Sequence, residues 1–160
     1  MLEADAWKAI RDPVEQEGAT ISEEALKEIY EKTRGYPYFL QEWGYTVWNI
    51  AQGETFTEQD ARAAIHETIR KLDESFFRVR FDRTTPAERD YMRCLAELGK
   101  GPQRSADVAI ALGRVATSLG PVRDSLIKKG MIYSPEYAQI AFTAPLFDEF
   151  MRRVTAVLPQ

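Results

Sequence analysis

Residues 105–142 constrain the fold of this chain most strongly, because two helix signals are followed there by a strand, a turn and a second strand. Ser105 precedes an apolar-rich run that Gly113 ends. A serine at the start and a glycine after the last turn are typical of a short helix. This pattern predicts a first helix over residues 106–112 with Ser105 as its cap.

A second helix is predicted to begin near Thr117 or Ser118 and to end at Lys128-Lys129-Gly130. Its apolar residues have the spacing of one buried helical stripe. They are Val115, Leu119, Val122 and Leu126. Cations followed by a glycine are a C-terminal helix signal.

Residues 131–134 and 139–142 are typical of two strands and residues 135–138 of the turn between them, which predicts a β-hairpin. Ile132, Ile140 and Phe142 would then share one face of it. Two helices followed by a hairpin are the element order of a winged helix-turn-helix, in which the second helix enters the major groove of DNA. We therefore predict DNA contacts from Arg114, Thr117, Ser118, Arg123, Lys128 and Lys129.

The charge distribution leaves that function open. The net charge is −4, but residues 1–83 carry −6 and residues 84–160 carry +2. Residues 100–133 hold six basic and two acidic side chains, which favours a phosphate-binding face as much as an ordinary solvated one. Gly120-Pro121 at the start of the reading helix and the acidic Glu136 in the wing favour a protein partner instead.

The chain shows no catalytic or metal-binding motif. It has no phosphate-binding glycine loop and no Ser/His/Asp set, so we predict no catalysis by this chain alone. A single cysteine, Cys94, and a single histidine, His66, exclude a disulfide and a zinc site. Without a membrane-length apolar run or a signal-peptide pattern at the start, the expected setting is cytoplasmic.

The first half is predicted to be a helical bundle. Asp12-Pro13 is expected to interrupt a first helix, Ser22 to cap the next, and Thr57 with Asp60 to form a capping box. Between them, Gly35-Tyr36-Pro37 starts a helix that is apolar on more than one side and contains Gly44, which would permit a close helix crossing.

The predicted junction between two domains is residues 73–83, where the helical period fades and Phe77, Val79 and Phe81 alternate with charged residues. The same segment could instead be a helix that packs through Phe76 and Phe77. Thr85-Pro86-Ala87-Glu88 then gives a strong helix start. We predict a mainly α chain, with a helical domain at 1–76 and a winged-helix domain at 77–160.

Gly35-Tyr36-Pro37-Tyr38-Phe39-Leu40-Gln41-Glu42, placed between two helices and followed by the Leu72–Arg83 segment, resembles the helical lid of AAA+ ATPases near the origin-recognition and STAND-type groups. The resemblance covers essentially the whole chain. It implies a longer parent protein whose N-terminal ATPase core binds ATP or ADP with Mg. Gly35, Pro37 and Tyr38 would contact the nucleotide, with Tyr38 where many lids carry an arginine.

Three functions remain open at this point. The first is a regulatory AAA+ or STAND fragment, in which a lid completes the nucleotide site and a winged helix binds double-stranded DNA. The second makes the winged helix a protein-interaction or self-association module of a signalling ATPase. The third is a free-standing transcription regulator. The exposed aromatic residues expected on the lid, Tyr38, Tyr45 and Trp48, would face the ATPase core.

Overall fold

A computed structural model describes the backbone of residues 1–157 and the side chains through residue 155. It is mainly helical with two small sheets, which confirms the mainly α class. The chain forms two compact units, here called unit 1 (Met1–Ser75) and unit 2 (Phe76–Gln160). Within the described residues, every helix is too short or too polar to span a bilayer.

Unit 1 is a small helical bundle whose helix starts follow the sequence signals. The Ser22 hydroxyl accepts a hydrogen bond from the amide of Ala25 at 3.1 Å, and Thr57 and Asp60 form the predicted capping box. Its elements are α1 (Glu3–Gln16), β1 (Thr20–Ile21), α2 (Glu23–Thr33), α3 (Pro37–Ile50), β2 (Thr55–Phe56) and α4 (Glu58–Leu72).

The predicted break at Pro13 is wrong, because Pro13 lies inside α1. The buried stripe of Ala6, Ile10 and Val14 continues through the proline and packs α1 against its neighbours in unit 1. Proline costs an interior helix one backbone hydrogen bond, but most helical stability in proteins comes from packing of the apolar face. Burial on both sides of Pro13 therefore outweighs its local preference.

A short parallel ladder pairs Thr20 with Thr55 and Ile21 with Phe56. The amide of Thr20 donates to the carbonyl of Glu54 at 2.8 Å, and the amide of Ser22 donates to that of Phe56 at 2.9 Å. The ladder ties the start of α2 to the start of α4. Two residues per strand are too few to produce a periodic signal, so no local pattern indicated this pairing.

The turn between α2 and α3 is built from consecutive left-handed residues, Arg34 at φ 52° and Gly35 at φ 70°. The amide of Gly35 donates to the buried hydroxyl of Thr33 at 3.3 Å. A Cβ at Gly35 would lie 2.5 Å from the carbonyl oxygen of Met1. Both the backbone angle and this close approach require glycine here.

The predicted junction is helical as far as Phe81 and ends in a turn at Asp82 and Arg83. A π-helical turn (Asp73–Phe77) follows α4 and leads directly into α5 (Arg78–Phe81), with the boundary between the units inside that turn. Phe76, Phe77 and Phe81 are buried, which decides for the helical alternative over the alternating one. Phe77 and Phe81 each place their ring within 6 Å of the Phe150 ring.

Unit 2 joins a helical layer to a three-stranded antiparallel sheet with the order β3-β5-β4. Ile132 pairs with Phe142, and Gln103 pairs with Ile140, so both predicted hairpin strands are confirmed and a third strand is added to them. After α5 its elements are α6 (Pro86–Glu97), β3 (Gln103–Arg104), α7 (Ser105–Leu112), a 3-10 turn (Ala116–Leu119), α8 (Gly120–Lys128), β4 (Ile132–Tyr133), β5 (Gln139–Phe142) and α9 (Phe147–Val157).

Two details of the predicted helices differ. Ser105 does not cap α7 but is its first residue, because its amide and hydroxyl both donate to the carbonyl of Ala138 in the hairpin. The second helix begins at Gly120, since Thr117 and Ser118 lie in the preceding 3-10 turn. Pro121 then occupies the first turn of α8, where its missing amide costs no hydrogen bond.

Glycine substitutions in unit 1 should separate backbone strain from side-chain collision. Gly35→Ala should lower the free energy of unfolding by more than about 2 kcal/mol, because it adds a collision to a left-handed backbone. Gly18 also has a positive φ, 80°, but open space at its Cβ position. Gly18→Ala should therefore lose only about 1 kcal/mol, as measured by urea denaturation.

Gly44→Ala should change stability in the opposite direction. Gly44 lies inside α3 with a helical φ, and nothing lies within 4 Å of its Cβ position. The alanine should raise the free energy of unfolding by about 0.5–1 kcal/mol through its higher helix propensity. Equal losses at Gly35 and Gly18 would contradict the contact with Met1.

Candidate nucleic-acid interface and lid turn

The first three predicted DNA residues lie before α8 and are exposed. Arg114 follows the end of α7, and Thr117 and Ser118 are in the 3-10 turn. The hydroxyl of Ser118 donates to the carbonyl of Val115 at 2.7 Å, which stabilises the turn. Within the described side chains, the guanidinium of Arg114 makes no ion pair or hydrogen bond, so it is available to a ligand.

The two cations of α8 differ in whether an acidic partner neutralises them. Arg123 lies 3.5 Å from the adjacent Asp124, with 40% of its side chain exposed. Lys128 is exposed and has no ion pair or hydrogen bond within the described side chains. Lys128 and Arg114 are thus the unneutralised positive charges of the predicted set.

Lys129 has a different environment from the one the sequence suggested. Its ammonium donates to both carboxylate oxygens of Glu88, at 2.8 and 3.1 Å, and to the carbonyl of Arg83 at 3.0 Å. An ammonium has three N–H donors, and here each one has an acceptor. The structure therefore gives Lys129 a role within unit 2, and the phosphate contact of Lys129 stays a prediction.

Glu88 is the centre of this network and is only 4% exposed. It also accepts from the hydroxyl of Ser125 at 2.8 Å and from the amide of Thr85 at 3.1 Å. Desolvation by burial acts to raise the pKa of Glu88, but the hydrogen bonds from Lys129, Ser125 and Thr85 together hold that pKa below its usual value. Glu88 is therefore a charged group that joins α6 to α8.

The sequence revealed half of this network. Thr85 and Glu88 form the predicted capping box at the start of α6. The contacts with Ser125 and Lys129 span 37 and 41 residues, and no local pattern could have indicated them. Ser125 and Lys129 are four residues apart on one helix face, which is the spacing needed to reach a single carboxylate.

The hairpin presents aromatic rather than basic side chains. Tyr137 at its tip is 99% exposed, and Tyr133 is 47% exposed. The carbonyl of Glu136 accepts from the hydroxyl of Ser134 at 2.8 Å, and the turn is fixed to α7 through Ser105. The tip is thus an ordered turn with a tyrosine and one acid.

In unit 1, the lid residues identified from the resemblance are adjacent but differ in burial. Gly35 is buried, whereas Pro37, the first residue of α3, and Tyr38 are exposed. The Tyr38 ring lies edge-on to that of Phe39 at 6.4 Å. The structure brings the three residues together at the start of α3, with the carbonyl of Met1 packed against the turn.

An apolar groove of about 350 Å³ runs between α1 and α3. Gly44 lies in this groove with open space at its Cβ position, so the predicted close helix crossing at Gly44 is wrong. Tyr45 and Trp48 line it and are 63% and 41% exposed. The remaining lining residues are Met1, Ala9, Ile10, Pro13, Val14, Glu17, Pro37, Leu40 and Gln41.

Metal ligands do not converge in the part of the chain that the structure describes. No group of three or more His, Cys, Asp or Glu side chains is placed to hold an ion there. His66 is exposed on α4, and Cys94 is buried in α6, where burial raises the pKa of its thiol. A protonated, enclosed thiol is a poor nucleophile and a poor metal ligand.

Comparison with known proteins gives matches of two kinds. A family model described as a domain of unknown function (DUF8462) matches residues 74–151, just under half of the chain. No curated protein matches the chain.

The similar solved structures include the Thermotoga maritima RuvB Holliday junction branch migration motor, at 14% identity and a TM-score of 0.41, and a RuvB point mutant from the same organism, at 14% and 0.40. Each match covers 99% of this chain and 50% of that one, so the chain spans half the length of these structures.

Glu88→Gln should destabilise unit 2, because it leaves the Lys129 ammonium without its counter-charge. We expect a loss of roughly 2–4 kcal/mol in the free energy of unfolding, toward the lower part of the range for a broken buried pair. Glu97→Gln on the same helix removes an exposed pair with Arg93 and should change stability little. Equal effects of the two substitutions in urea denaturation would contradict the structural role of Glu88.

The lowered pKa of Glu88 also predicts a pH dependence. A carboxyl group whose pKa is depressed by folding stabilises the protein above its unfolded pKa of about 4.3 and loses that contribution as pH falls through the folded pKa. Wild type should therefore lose more stability than Glu88→Gln between about pH 6 and pH 3. Parallel pH profiles for the two proteins would contradict the prediction.

Proposed function

We propose that this chain is the C-terminal regulatory part of an AAA+ or STAND-type ATPase, in which unit 1 is the lid and unit 2 is a winged helix that binds double-stranded DNA. The order of elements supports the second assignment: α6, β3, α7, α8, then the antiparallel pair β4 and β5. In this architecture α8 is the helix that reads the major groove and the β4–β5 turn is the wing.

The observation that carries DNA binding is the contrast between paired and unpaired cations in unit 2. Lys129 is held by Glu88, and Arg104 is held by Asp107 at 2.9 Å. Arg114 before α8 and Lys128 at its end have no such partners among the described side chains. Cations that the fold does not neutralise are the ones able to exchange counterions for phosphates.

The lid assignment rests on the turn at Gly35 and on the groove beside it. Gly35, Pro37 and Tyr38 would meet a nucleotide bound to the parent's ATPase core, and that core would supply the ATP or ADP site with Mg. The groove between α1 and α3 leaves Tyr45 and Trp48 exposed in a helix whose one charged residue is Glu42. Such a face favours a partner domain over solvent.

A second candidate function, protein interaction through unit 2, is favoured by a different observation. Ile110 in α7 and Val115 after it are 76% and 71% exposed. Exposed aliphatic residues and an acidic, aromatic wing are both better suited to a protein surface than to phosphates.

DNA binding can be tested by fluorescence anisotropy with a labelled random-sequence duplex over a salt series. Wild type should bind with a slope of log K against log salt of about −3 to −4, at about −0.9 per neutralised phosphate. Arg114→Glu/Lys128→Glu should lose most of this binding. The control Lys8→Glu/Lys27→Glu makes the same change in net charge on exposed residues of unit 1 and should keep it.

The second candidate has its own test. If unit 2 associates with itself, Ile110→Ser/Val115→Ser should shift the chain from dimer to monomer in sedimentation velocity, because it removes the apolar side chains of the contact without changing the charge next to Arg114. DNA affinity should then be unchanged. A chain that sediments as a monomer at all concentrations, with wild-type duplex binding, would reject self-association.

A further inference from the structure

We infer that Arg83 contacts a nucleic-acid phosphate beside the C-terminal end of α8, an inference that rests on the proposed DNA binding. Arg83 lies in the short segment between α5 and α6, outside the helix-turn-helix region from which the other DNA residues were predicted. Its place next to α8 comes from the tertiary structure, through the bond between its carbonyl and the ammonium of Lys129.

The backbone of Arg83 is fixed from the α8 side. Its carbonyl accepts from Lys129 at 3.0 Å, and Lys129 is itself fixed by the carboxylate of Glu88. Glu88 also receives the hydroxyl of Ser125, one turn earlier on α8. The position of the Arg83 backbone relative to α8 is therefore set by a charged network around the buried Glu88.

The segment is fixed from its other side as well. The guanidinium of Arg89 donates to the hydroxyl of Thr84 and to the carbonyl of Phe81, both at 3.2 Å. It also lies over the Phe81 ring at 4.3 Å from the ring centre. The amide of Arg83 donates to the carbonyl of Arg80 at 3.2 Å. Because hydrogen bonds hold the backbone at Arg83, the arginine loses little backbone freedom when it binds a phosphate, which favours affinity.

The side chain of Arg83 is exposed and has no ion pair or hydrogen bond within the described side chains, although Asp82 is its neighbour in the chain. The side chain of Lys128, at the end of α8, is likewise exposed and has no ion pair or hydrogen bond among the side chains that the structure describes. Arg83 and Lys128 would then both supply positive charge for a phosphate near the C-terminal end of α8. A guanidinium can bind one phosphate through parallel N–H donors, which suits a backbone contact that is independent of sequence.

The competing explanation is that Arg83 only complements the negative C-terminal end of α8. That role would appear in folding stability and not in the salt dependence of DNA binding. The two roles are therefore separable by measuring both quantities on the same variants.

The test compares wild type, Arg83→Gln, Arg83→Lys and the control Arg34→Gln in duplex anisotropy over a salt series, with thermal melts of each. Arg34 is likewise exposed and unpaired among the described side chains, but belongs to unit 1. Arg83→Gln should make the salt slope shallower by about 0.9, one phosphate contact, with an unchanged melting temperature. Arg83→Lys should restore most of the slope, and Arg34→Gln should match wild type.

The outcomes distinguish the two levels of the proposal. If wild type binds with a steep salt slope and Arg83→Gln has the same slope, the inference about Arg83 is overturned and DNA binding stands. A lower melting temperature with an unchanged slope assigns Arg83 to the helix end and also overturns it. If wild type fails to bind duplex even at about 50 mM salt, the low end of the salt series, the proposed DNA binding itself is rejected.

Discussion

The buried carboxylate of Glu88 is the interaction on which the arrangement of unit 2 depends. It accepts from Thr85 just before α6, from Ser125 in α8 and from Lys129 just after α8. One charge therefore closes the start of α6 and fixes the helix proposed to read DNA. Burying a carboxylate is costly unless its oxygens are satisfied, and here they are. A substitution of Glu88 should thus disturb the position of α8 within unit 2.

The same network separates the basic residues of unit 2 that have an acidic partner from those that have none. The ammonium of Lys129 donates to both carboxylate oxygens of Glu88 and, as a third acceptor, to the carbonyl of Arg83. Arg83, Arg114 and Lys128 are left exposed without acidic partners among the described side chains. An overall charge of −4 therefore coexists with these three exposed, unpaired cations in unit 2. The electrostatic case for phosphate binding depends on which cations remain unpaired, and net charge does not reveal that.

Unit 1 presents a different kind of surface. The left-handed turn at Gly35 packs on the carbonyl of Met1, and an apolar groove opens between α1 and α3 with Tyr45 and Trp48 along it. These features suit contact with another folded domain, whereas unit 2 exposes unpaired cations for which we propose a phosphate partner. Under the proposed function the two units would read different inputs, nucleotide state in one and DNA in the other.

The sequence by itself determined the local elements, because caps, helix-ending glycines and polarity patterns act within a few residues. Local patterns of this kind predicted the capping boxes at Thr57 and Thr85 and the two strands of the hairpin. Only the tertiary structure decided what depends on distant partners. The continuation of α1 through Pro13, the two-residue ladder at Thr20 and the capture of Lys129 by Glu88 are of this kind. In each, burial or pairing between distant residues outweighs the local preference.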